Sequence, residues 1–521
     1  MNKKIWGWDA CAAVAISLLC ILIIWRENIF PVFIDIFYHL SIAEMFNQAG
    51  GVTTADFLQF APGARPHLYP PVYHILLSLP KMIGIDTLLI AKVASAATYP
   101  FVSLSLYLTA GRAFSKRIGF FSLVVFLSPW MIFYKTAYLG PSMMAVALAM
   151  LAYYCMCRKS YLSACAFSAL ALYTHMSIPH MFLIPIIVVG LLHREERKKI
   201  LLAISCAYAA YVPFAVHLFA SRGYVTTRDI ISENNVYVAS ALLGIAGIVI
   251  ILYRYRKKEW DSLMVYPIAV LLFLGCIYPH YPHRYWFHAY VPISILSAVA
   301  IDHCIGWIKK RPSPGAGPAA LAFMVAIVVL MVLYTPTYTY YSHPVKGGDM
   351  GNPFDSNDDY LTGTFQSEGI RIAPAVLPVL ARGYSLIGSQ AYIGKDFYAI
   401  AEDVASATCK DDIIQIMNGP RGCFISATTG RATTLGMFFE VLPYEPNAIG
   451  APITKAYVLD YEITEDIEEV TEYIGNGYTL MVRDTGDVAK TAIPSPIVPI
   501  VTAQILCALT FLLGLTVFFR R

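Results

Sequence analysis

Long apolar runs alternate with short polar breaks along most of this chain. Twelve of these runs come close to the roughly 20 residues that a helix needs to cross a bilayer. The pattern predicts membrane-spanning helices at 5–25, 87–110, 118–134, 141–157, 161–175, 178–193, 199–219, 237–253, 262–279, 287–307, 319–335 and 494–518. The first run follows Lys3 and Lys4, and no small-residue cleavage site comes after it, so we interpret it as a retained signal anchor.

Residues 69–84 form one further apolar run, which is short and carries three prolines. Basic residues are enriched on the cytoplasmic side of membrane proteins. If 69–84 does not cross, the basic stretches all fall on the side of the N-terminus, namely 112–117, 158–159, 194–199, 254–258, 309–311 and 520–521. If it crosses, they all face outward. We therefore predict a re-entrant or surface-lying helix at 69–84, cytoplasmic N- and C-termini, and a multi-pass protein of the cell (plasma) membrane.

This topology leaves the longest polar stretches outside the cytoplasm, at 26–86, 220–236, 280–286 and 336–493. The composition changes abruptly at Pro336, where Gly, Asp, Asn and Thr clusters and short β-prone stretches begin. The predicted fold is mainly α, a polytopic transmembrane helix bundle of about 12 spans, with a C-terminal extracytoplasmic α/β domain. The predicted divisions are a transmembrane domain in 1–335 with the long first outer loop 26–86, a soluble domain in 336–493, and a final transmembrane helix in 494–521.

The composition supports a membrane protein, because 57% of the residues are hydrophobic and only 14% are charged. A net charge of +4 gives no reason to expect a nucleic-acid partner. Two cysteines, Cys409 and Cys423, fall in the polar C-terminal region, and they could form a disulfide on an oxidising side.

The first outer loop concentrates acids, imidazoles and an arginine beside the bilayer. Asp35, His39 and (nearly) Glu44 share one face if the segment is helical. A carboxylate there could hold a divalent cation or remove a proton from a hydroxyl group. Further along, Arg65 and His67 could meet a phosphate. The alternative is that these are ordinary interfacial polar residues, with Tyr38 and Tyr69 as belt aromatics, and the spacing alone leaves both interpretations open.

The loop reads Asp35-x-x-Tyr-His39-Leu and later Gly-x-Arg65-Pro-His67-Leu-Tyr69-Pro-Pro. This resembles the C-type (GT-C) membrane glycosyltransferase superfamily, and within it, distantly, the catalytic subunit of oligosaccharyltransferases. The resemblance implies an enzyme that moves a sugar or glycan from a polyprenyl-phosphate carrier to a glycan, lipid or protein acceptor at the outer membrane face. It also implies that Asp35, in the first outer loop, is the acidic residue at the catalytic position, with His39, Arg65, His67 and Tyr69 as substrate-binding candidates.

Other outer loops add candidates by the same resemblance. His283 and Arg284 come just before the span at 287–307, where the family commonly has an Arg-Tyr that meets the carrier phosphate. Lys135, in the second outer loop, could also face a phosphate. Ile-Ile-Ser-Glu233 is similar to a short oligosaccharyltransferase motif and would make Glu233 a second ligand, beside Asp35, of a divalent cation such as Mg²⁺ or Mn²⁺.

Two departures from the family narrow this expectation. The second outer loop, 135–141, contains no acid, although many members carry an acidic pair there. The Trp-Trp-Asp acceptor motif is absent, and 336–493 contains no Trp, so transfer to an Asn-x-Ser/Thr sequon is not supported.

Other classes of protein remain as alternatives. A transporter or flippase of lipid-linked glycans would also have many spans, but it would not need a long acidic first loop, and the chain lacks an internal repeat. A glycan polymerase or ligase of another fold, or a non-catalytic membrane scaffold, is also possible. The scaffold leaves the His- and Arg-rich first loop unexplained.

Overall fold

A computed structural model of the chain describes residues 5–26, 35–129, 140–226, 232–278, 282–310, 315–333, 336–342, 364–367, 395–416, 419–438, 441–443, 455–458, 472–474, 478–484 and 493–519. Within these ranges the fold is mainly helical, as the hydropathy pattern predicted.

The helices follow one another with short connections for most of the chain. They are α1 Ile5–Arg26, α2 Asp35–Gln48, α3 Val72–Met82, α4 Thr87–Ala113, α5 Lys116–Leu127, α6 Gly140–Cys157, α7 Tyr161–Leu172, α8 Ile178–Leu192, α9 Arg197–Ala220, α10 Val238–Arg256, α11 Tyr266–Leu274, α12 Pro282–Lys309, α13 Ala316–Leu333, α14 Lys395–Ala407, α15 Gly419–Thr429 and α16 Ile500–Phe519.

The strands are short and lie in the first outer loop, just before α10, and from Pro336 onward. They are β1 Gly51–Val52, β2 Ala55–Asp56, β3 Arg65–Pro66, β4 Ser232–Tyr237, β5 Pro336–Ser342, β6 Thr364–Ser367, β7 Ile413–Gln415, β8 Ala432–Thr433, β9 Lys455–Val458, β10 Glu472–Ile474, β11 Tyr478–Asp484 and β12 Val498–Pro499.

Each of the twelve predicted spans coincides with a helix in the described part of the chain. Six helices there are long and apolar enough to cross a bilayer: Thr87–Ala113, Gly140–Cys157, Arg197–Ala220, Val238–Arg256, Arg284–Lys309 and Ile500–Phe519. Five more apolar stretches of 10–17 residues lie in α1, α7, α8, α11 with the turn before it, and α13: Gly7–Ile21, Tyr161–Leu172, Ile178–Leu192, Ser262–Leu274 and Ala316–Ile327. The helical character of the predicted spans is therefore confirmed, and the number of crossings stays a prediction.

The segment 69–84 contains α3, which has only 11 residues. At about 1.5 Å per residue it is about 16 Å long, roughly half of the ~30 Å hydrocarbon core. Pro71 comes just before it and Pro80 lies in its last turn. Its length fits the prediction that this segment does not cross.

The largest hydrophobic core of the described residues lies among the bundle helices and centres on α6, whose apolar side chains are almost all buried. Small residues let helices approach closely in this core. At Gly247 of α10, an added Cβ would lie 2.0 Å from the carbonyl oxygen of Leu296 on α12. Charged side chains pair at the helix ends, where Arg117 of α5 meets Asp302 of α12.

A second core joins the first outer loop to the C-terminal region. It contains α2 and α3 together with buried residues of α14, β7 and α15 and the start of α16. Strand β1 pairs antiparallel with β12, immediately before α16, through Gly51 with Pro499 and Val52 with Val498. The first outer loop thus contacts the C-terminal region twice, at α14, β7 and α15 and again at β12 and the start of α16.

The described C-terminal residues contain both helices and strands. Strands β7 to β11 form a five-stranded sheet in the order β10-β11-β9-β7-β8, in which β7 runs parallel to β8 and β9. A separate sheet pairs β4 with β5 and β5 with β6. The domain boundaries predicted at 335 and 493 stay predictions.

The disulfide considered for Cys409 and Cys423 is not formed, because both thiols are free. Cys409 is exposed, whereas Cys423 is buried and accepts a hydrogen bond from the Met437 main-chain N–H at 3.0 Å. Burial raises the pKa of the Cys423 thiol.

Candidate active site

Asp35 is the first residue of α2. A carboxylate in the first turn suits the positive end of the helix dipole, and the apolar side chains that follow give α2 a buried face. On that face, Phe37 packs edge-on against Phe424 of α15, with ring centroids 4.8 Å apart. The charge of Asp35 also acts on the buried thiol of Cys423 in α15. The half-buried Asp35 therefore lies where the first outer loop meets the C-terminal region.

One turn after Asp35, His39 is buried against α3. Its Nδ1 atom lies 2.9 Å from Nε2 of His74, so one ring donates a hydrogen bond to the other. The rings of Tyr69 and Tyr73 lie 5.1 and 5.2 Å from the His39 ring. Burial lowers the pKa of His39 to about 3, which keeps the ring neutral at physiological pH. The predicted residues His39 and Tyr69 are thus brought together in one aromatic cluster.

His67 belongs to the same cluster, with its ring 5.3 Å from that of His74. Its main-chain oxygen accepts a hydrogen bond from Nε2 of His217 at 2.9 Å, which ties the loop to α9. Within the described residues, neither ring nitrogen of His67 has a hydrogen-bond partner. Burial lowers its pKa to about 3, and the positive charge of Arg65 acts in the same direction.

Arg65 is buried and uses all five of its N–H groups within the protein. The acceptors are the Asp56 carboxylate (3.2 Å), the Gln59 amide oxygen (3.3 Å) and the main-chain oxygens of Met437 (2.5 Å), Phe438 (2.7 Å) and Val441 (3.4 Å). A phosphate would have to displace one of these acceptors from a side chain that is 1% exposed. We therefore assign Arg65 to holding the main chain of Met437, Phe438 and Val441 against the first outer loop.

Phe438 is placed over the aromatic cluster by this set of hydrogen bonds. Its ring stacks on Tyr38 at 5.6 Å and meets Tyr69 edge-on at 5.3 Å. Its φ of 63° lies in the left-handed region, which is unusual for an aromatic residue. Two residues earlier, an added Cβ at Gly436 would lie 1.9 Å from the side-chain oxygen of Gln59, so the close approach requires glycine.

Arg284 is half-buried near the start of α12. His288, one turn later, donates from Nδ1 to the Arg284 main-chain oxygen at 2.6 Å. Its Nε2 atom is therefore the acceptor in the neutral ring, and it faces the Ser142 hydroxyl at 3.2 Å. These contacts fix the start of α12 against the start of α6.

His175 lies in the connection from α7 to α8. Its ring meets Tyr69 edge-on at 5.6 Å, and the charge of Arg284 acts on it. The main-chain N–H of Val72 also donates to the Tyr173 oxygen at 2.9 Å, which holds this connection against the start of α3. The cluster of His39, Tyr69 and His175 therefore reaches from the first outer loop toward α12.

Comparison with known proteins gives structural matches alone. No family model matches the chain, and no curated protein matches its sequence. The oligosaccharyltransferase AglB of Archaeoglobus fulgidus, solved with an inhibitory peptide and a dolichol-phosphate, matches with a TM-score of 0.53 and 11% identity over 84% of this chain. ArnT of Cupriavidus metallidurans, solved with undecaprenyl phosphate, matches with a TM-score of 0.51 and 13% identity over 87% of this chain and 93% of that one.

The chain has the fold of a C-type membrane glycosyltransferase. The resemblance stated from the first-loop residues is thus confirmed at the level of the fold, and the apolar helices are those of a multi-pass membrane protein. The chain spans about 65% of the length of AglB. At these identities the likeness establishes the arrangement of the chain and no particular substrate.

Three predicted site residues lie wholly or partly outside the described residues. Lys135 falls in a range that is not described, and for Glu233 and His283 the description extends to the main chain only. The main chain of Glu233 lies in β4, opposite Tyr341 of β5. Across the described ranges, no group of three or more potential ligands could hold a metal ion. The cation site at Asp35 and Glu233 therefore stays a prediction.

Glu44, which shares a face with Asp35 and His39 by sequence, instead forms an ion pair with Lys81 at 3.2 Å. His74, Gln59 and Phe438 were not predicted from the sequence. His74 bonds His39 across 35 residues, and Gln59 bonds the Met437 main chain across 378 residues. The one local signal was the density of histidines between 39 and 74.

Proposed function

We propose that the chain is a glycosyltransferase that takes a sugar or glycan from a polyprenyl-phosphate carrier at the outer membrane face. The observation that supports it is a series of contacts between remote residues. His39 lies on α2, which begins at Asp35, and its ring contacts Tyr69; Tyr69 contacts His175, on which the charge of Arg284 acts. A transporter gives no reason for a carboxylate to lie beside such a cluster.

In the proposed reaction, an oxygen of the acceptor attacks the anomeric carbon of the sugar, and the bond from that carbon to the phosphate oxygen breaks. Asp35 accepts the proton of the acceptor hydroxyl. The electron pair of the broken bond remains on the polyprenyl phosphate, whose charge Arg284 stabilises. A single displacement of this kind inverts the configuration at the sugar carbon.

The remaining candidates take supporting roles in the proposal. His39, His67 and Tyr69 shape the sugar side of the site as neutral donors and aromatic surface, and Lys135 and His283 add contacts to the carrier phosphate. A divalent cation held by Asp35 and Glu233 would orient the acceptor by its Lewis acidity. AglB and ArnT were solved with dolichol-phosphate and undecaprenyl phosphate, which motivates the carrier class. The acceptor is proposed only as a glycan, a lipid or a protein.

The proposal includes a topology of twelve crossings in the plasma membrane, with both termini in the cytoplasm. The α/β region 336–493 then lies outside. Exposed Cys409 gives a direct test, because a membrane-impermeant maleimide added to intact cells should label it. A Cys409→Ser variant is the control for labelling at other cysteines. Labelling of Cys409 only after cell lysis would overturn this orientation.

The catalytic role is tested by Asp35→Asn and Asp35→Ala in proteoliposomes that contain polyprenyl-phosphate-linked sugars. Removing a general base costs roughly 10²- to 10⁴-fold in rate, and we expect sugar transfer and polyprenyl phosphate release to fall together. Glu402→Gln, an exposed acid on α14, is the matched control. Full activity of both Asp35 variants would contradict the proposal. Movement of the lipid-linked glycan without phosphate release would favour the flippase alternative.

A further inference from the structure

His175 is a buried histidine, 2% exposed, whose two ring nitrogens have different surroundings. Nδ1 accepts hydrogen bonds from the main-chain N–H groups of Ser177 at 3.2 Å and Ile178 at 3.4 Å. These N–H groups lie at the start of α8, where a helix leaves its first donors without partners inside the helix. One ring nitrogen therefore has a structural role.

This contact decides the tautomer of the ring. A nitrogen that accepts from an N–H carries no proton, so in the neutral imidazole the proton is on Nε2. His175 is thereby fixed as a neutral ring with one N–H donor, and Nε2 is the atom that can serve a ligand.

The position of the ring indicates which ligand this would be. His175 contacts Tyr69, a residue of the aromatic cluster beside Asp35, and it lies within the field of Arg284. The sugar side and the phosphate side of the proposed site therefore meet at this ring. A neutral donor beside an arginine can add a hydrogen bond to a phosphate oxygen without increasing the local positive charge.

We propose that His175 is a further substrate-binding residue, which donates from Nε2 to the phosphate of the polyprenyl-phosphate carrier beside Arg284. This inference rests on the proposed function. It assigns two tasks to one ring: Nδ1 holds the start of α8, and Nε2–H binds the phosphate.

Two substitutions separate these tasks. In His175→Asn the side-chain oxygen can replace Nδ1 as the acceptor at α8, but the Nε2 donor is lost. In His175→Gln the terminal NH₂ reaches the position of Nε2, but the acceptor at the Nδ1 position is lost. The experiment measures the Kd for undecaprenyl phosphate, and the Tm without lipid, for the purified full-length wild type and both variants in detergent. Undecaprenol serves as the ligand without phosphate.

We expect His175→Asn to weaken undecaprenyl phosphate binding roughly tenfold or more, because a hydrogen bond to a charged group is lost. It should leave the affinity for undecaprenol and the Tm nearly unchanged. His175→Gln should lower the Tm and keep the Kd within about threefold of wild type. Wild-type affinity in His175→Asn, or an equal loss of affinity in both variants, would overturn the inference.

The outcome for the wild type separates this inference from the proposed function. If the wild type binds undecaprenyl phosphate no better than undecaprenol, the proposed function itself fails. If a variant does not fold, its Kd is replaced as the readout by the ¹⁵N chemical shift of Nε2 in wild-type His175. A shift on adding undecaprenyl phosphate, but not undecaprenol, supports the contact, and an unchanged shift overturns it.

Discussion

Arg65 and Arg284 were both predicted from the sequence to meet a phosphate, and the structure gives them different surroundings. Arg65 is 1% exposed and bonds Asp56, Gln59 and three main-chain oxygens of 437–441. Arg284 is half-buried at the start of a membrane helix, where its main chain is fixed by His288. The two residues have the same side chain, but Arg65 holds Phe438 of the aromatic cluster and Arg284 acts on His175.

The comparison teaches that an arginine in a promising motif is assigned by its acceptors. A guanidinium that is removed from water must find acceptors for all its donors, and Arg65 finds them in the protein. Its role is to hold two distant parts of the chain together. We therefore propose that Arg284 binds the phosphate and that Arg65 stabilises the fold, and variants of each residue test these two roles.

The largest effect on stability is expected from Arg65→Met. Asp56 would be left as a buried carboxylate without its cation, which costs about 3–5 kcal/mol. We expect a large drop in Tm, measured by scanning calorimetry in detergent, with exposed Arg222→Met as the control. Restoring part of the loss by adding Asp56→Asn would identify the ion pair as the cause. An unchanged Tm in Arg65→Met would contradict the structural role of Arg65.

Arg284→Gln should show the opposite pattern. Loss of a charged donor to a phosphate weakens binding by about 1.5–3 kcal/mol, roughly 10- to 100-fold in Kd. We expect this loss for undecaprenyl phosphate and not for undecaprenol, with Tm close to wild type. A variant that loses stability but keeps its affinity would place Arg284 with Arg65 as a structural residue.

Gly436→Ala tests the fit between the first outer loop and the C-terminal segment. The new methyl group would lie 1.9 Å from the buried side-chain oxygen of Gln59, which itself accepts from Arg65. Such overpacking costs about 1–3 kcal/mol, measured as a lower Tm. Gly223→Ala is the matched control, because nothing lies within 4 Å of its new Cβ. Equal Tm values for the two variants would show that the segment does not pack closely on Gln59.

The smallest effect concerns pH. Burial lowers the pKa of His67 to about 3, below about 6.5 for an unfolded histidine. The stability that comes from the neutral ring is therefore complete above about pH 6.5 and is lost as the pH falls toward 3, by up to roughly 1.4 kcal/mol per pH unit. We expect His67→Gln to lose less Tm than wild type between pH 7 and pH 5. The same decline in both proteins would mean that folding does not lower the pKa of His67.

The hydropathy pattern predicted the helices well, because a bilayer requires long apolar stretches and the chain breaks them with charged or proline residues. The twelve predicted runs all coincide with helices. The spacing of Asp35 and His39 also fits one face of a helix, and α2 contains both residues. These features depend on residues that lie close together in sequence.

The roles of individual polar residues could not be predicted in the same way. The main-chain acceptors of Arg65 come much later in the chain, and Phe438, for example, is 373 residues away. Glu44 has Lys81 as its partner, and Cys423 contacts Gln59 instead of Cys409. A short motif contains the residue but not its partner, and the partner decides whether a charge supports the fold or serves a ligand.

The contact between Arg65 and Phe438 also has a consequence for biosynthesis. During translation the first outer loop emerges long before the segment that receives the Arg65 guanidinium, 373 residues later. At about 5–20 residues per second, this interval is about 20–75 s. Throughout it, a charged side chain that ends fully buried must remain hydrated at the membrane surface. Assembly around Asp35 is therefore a late event, completed only after Phe438 has been synthesised.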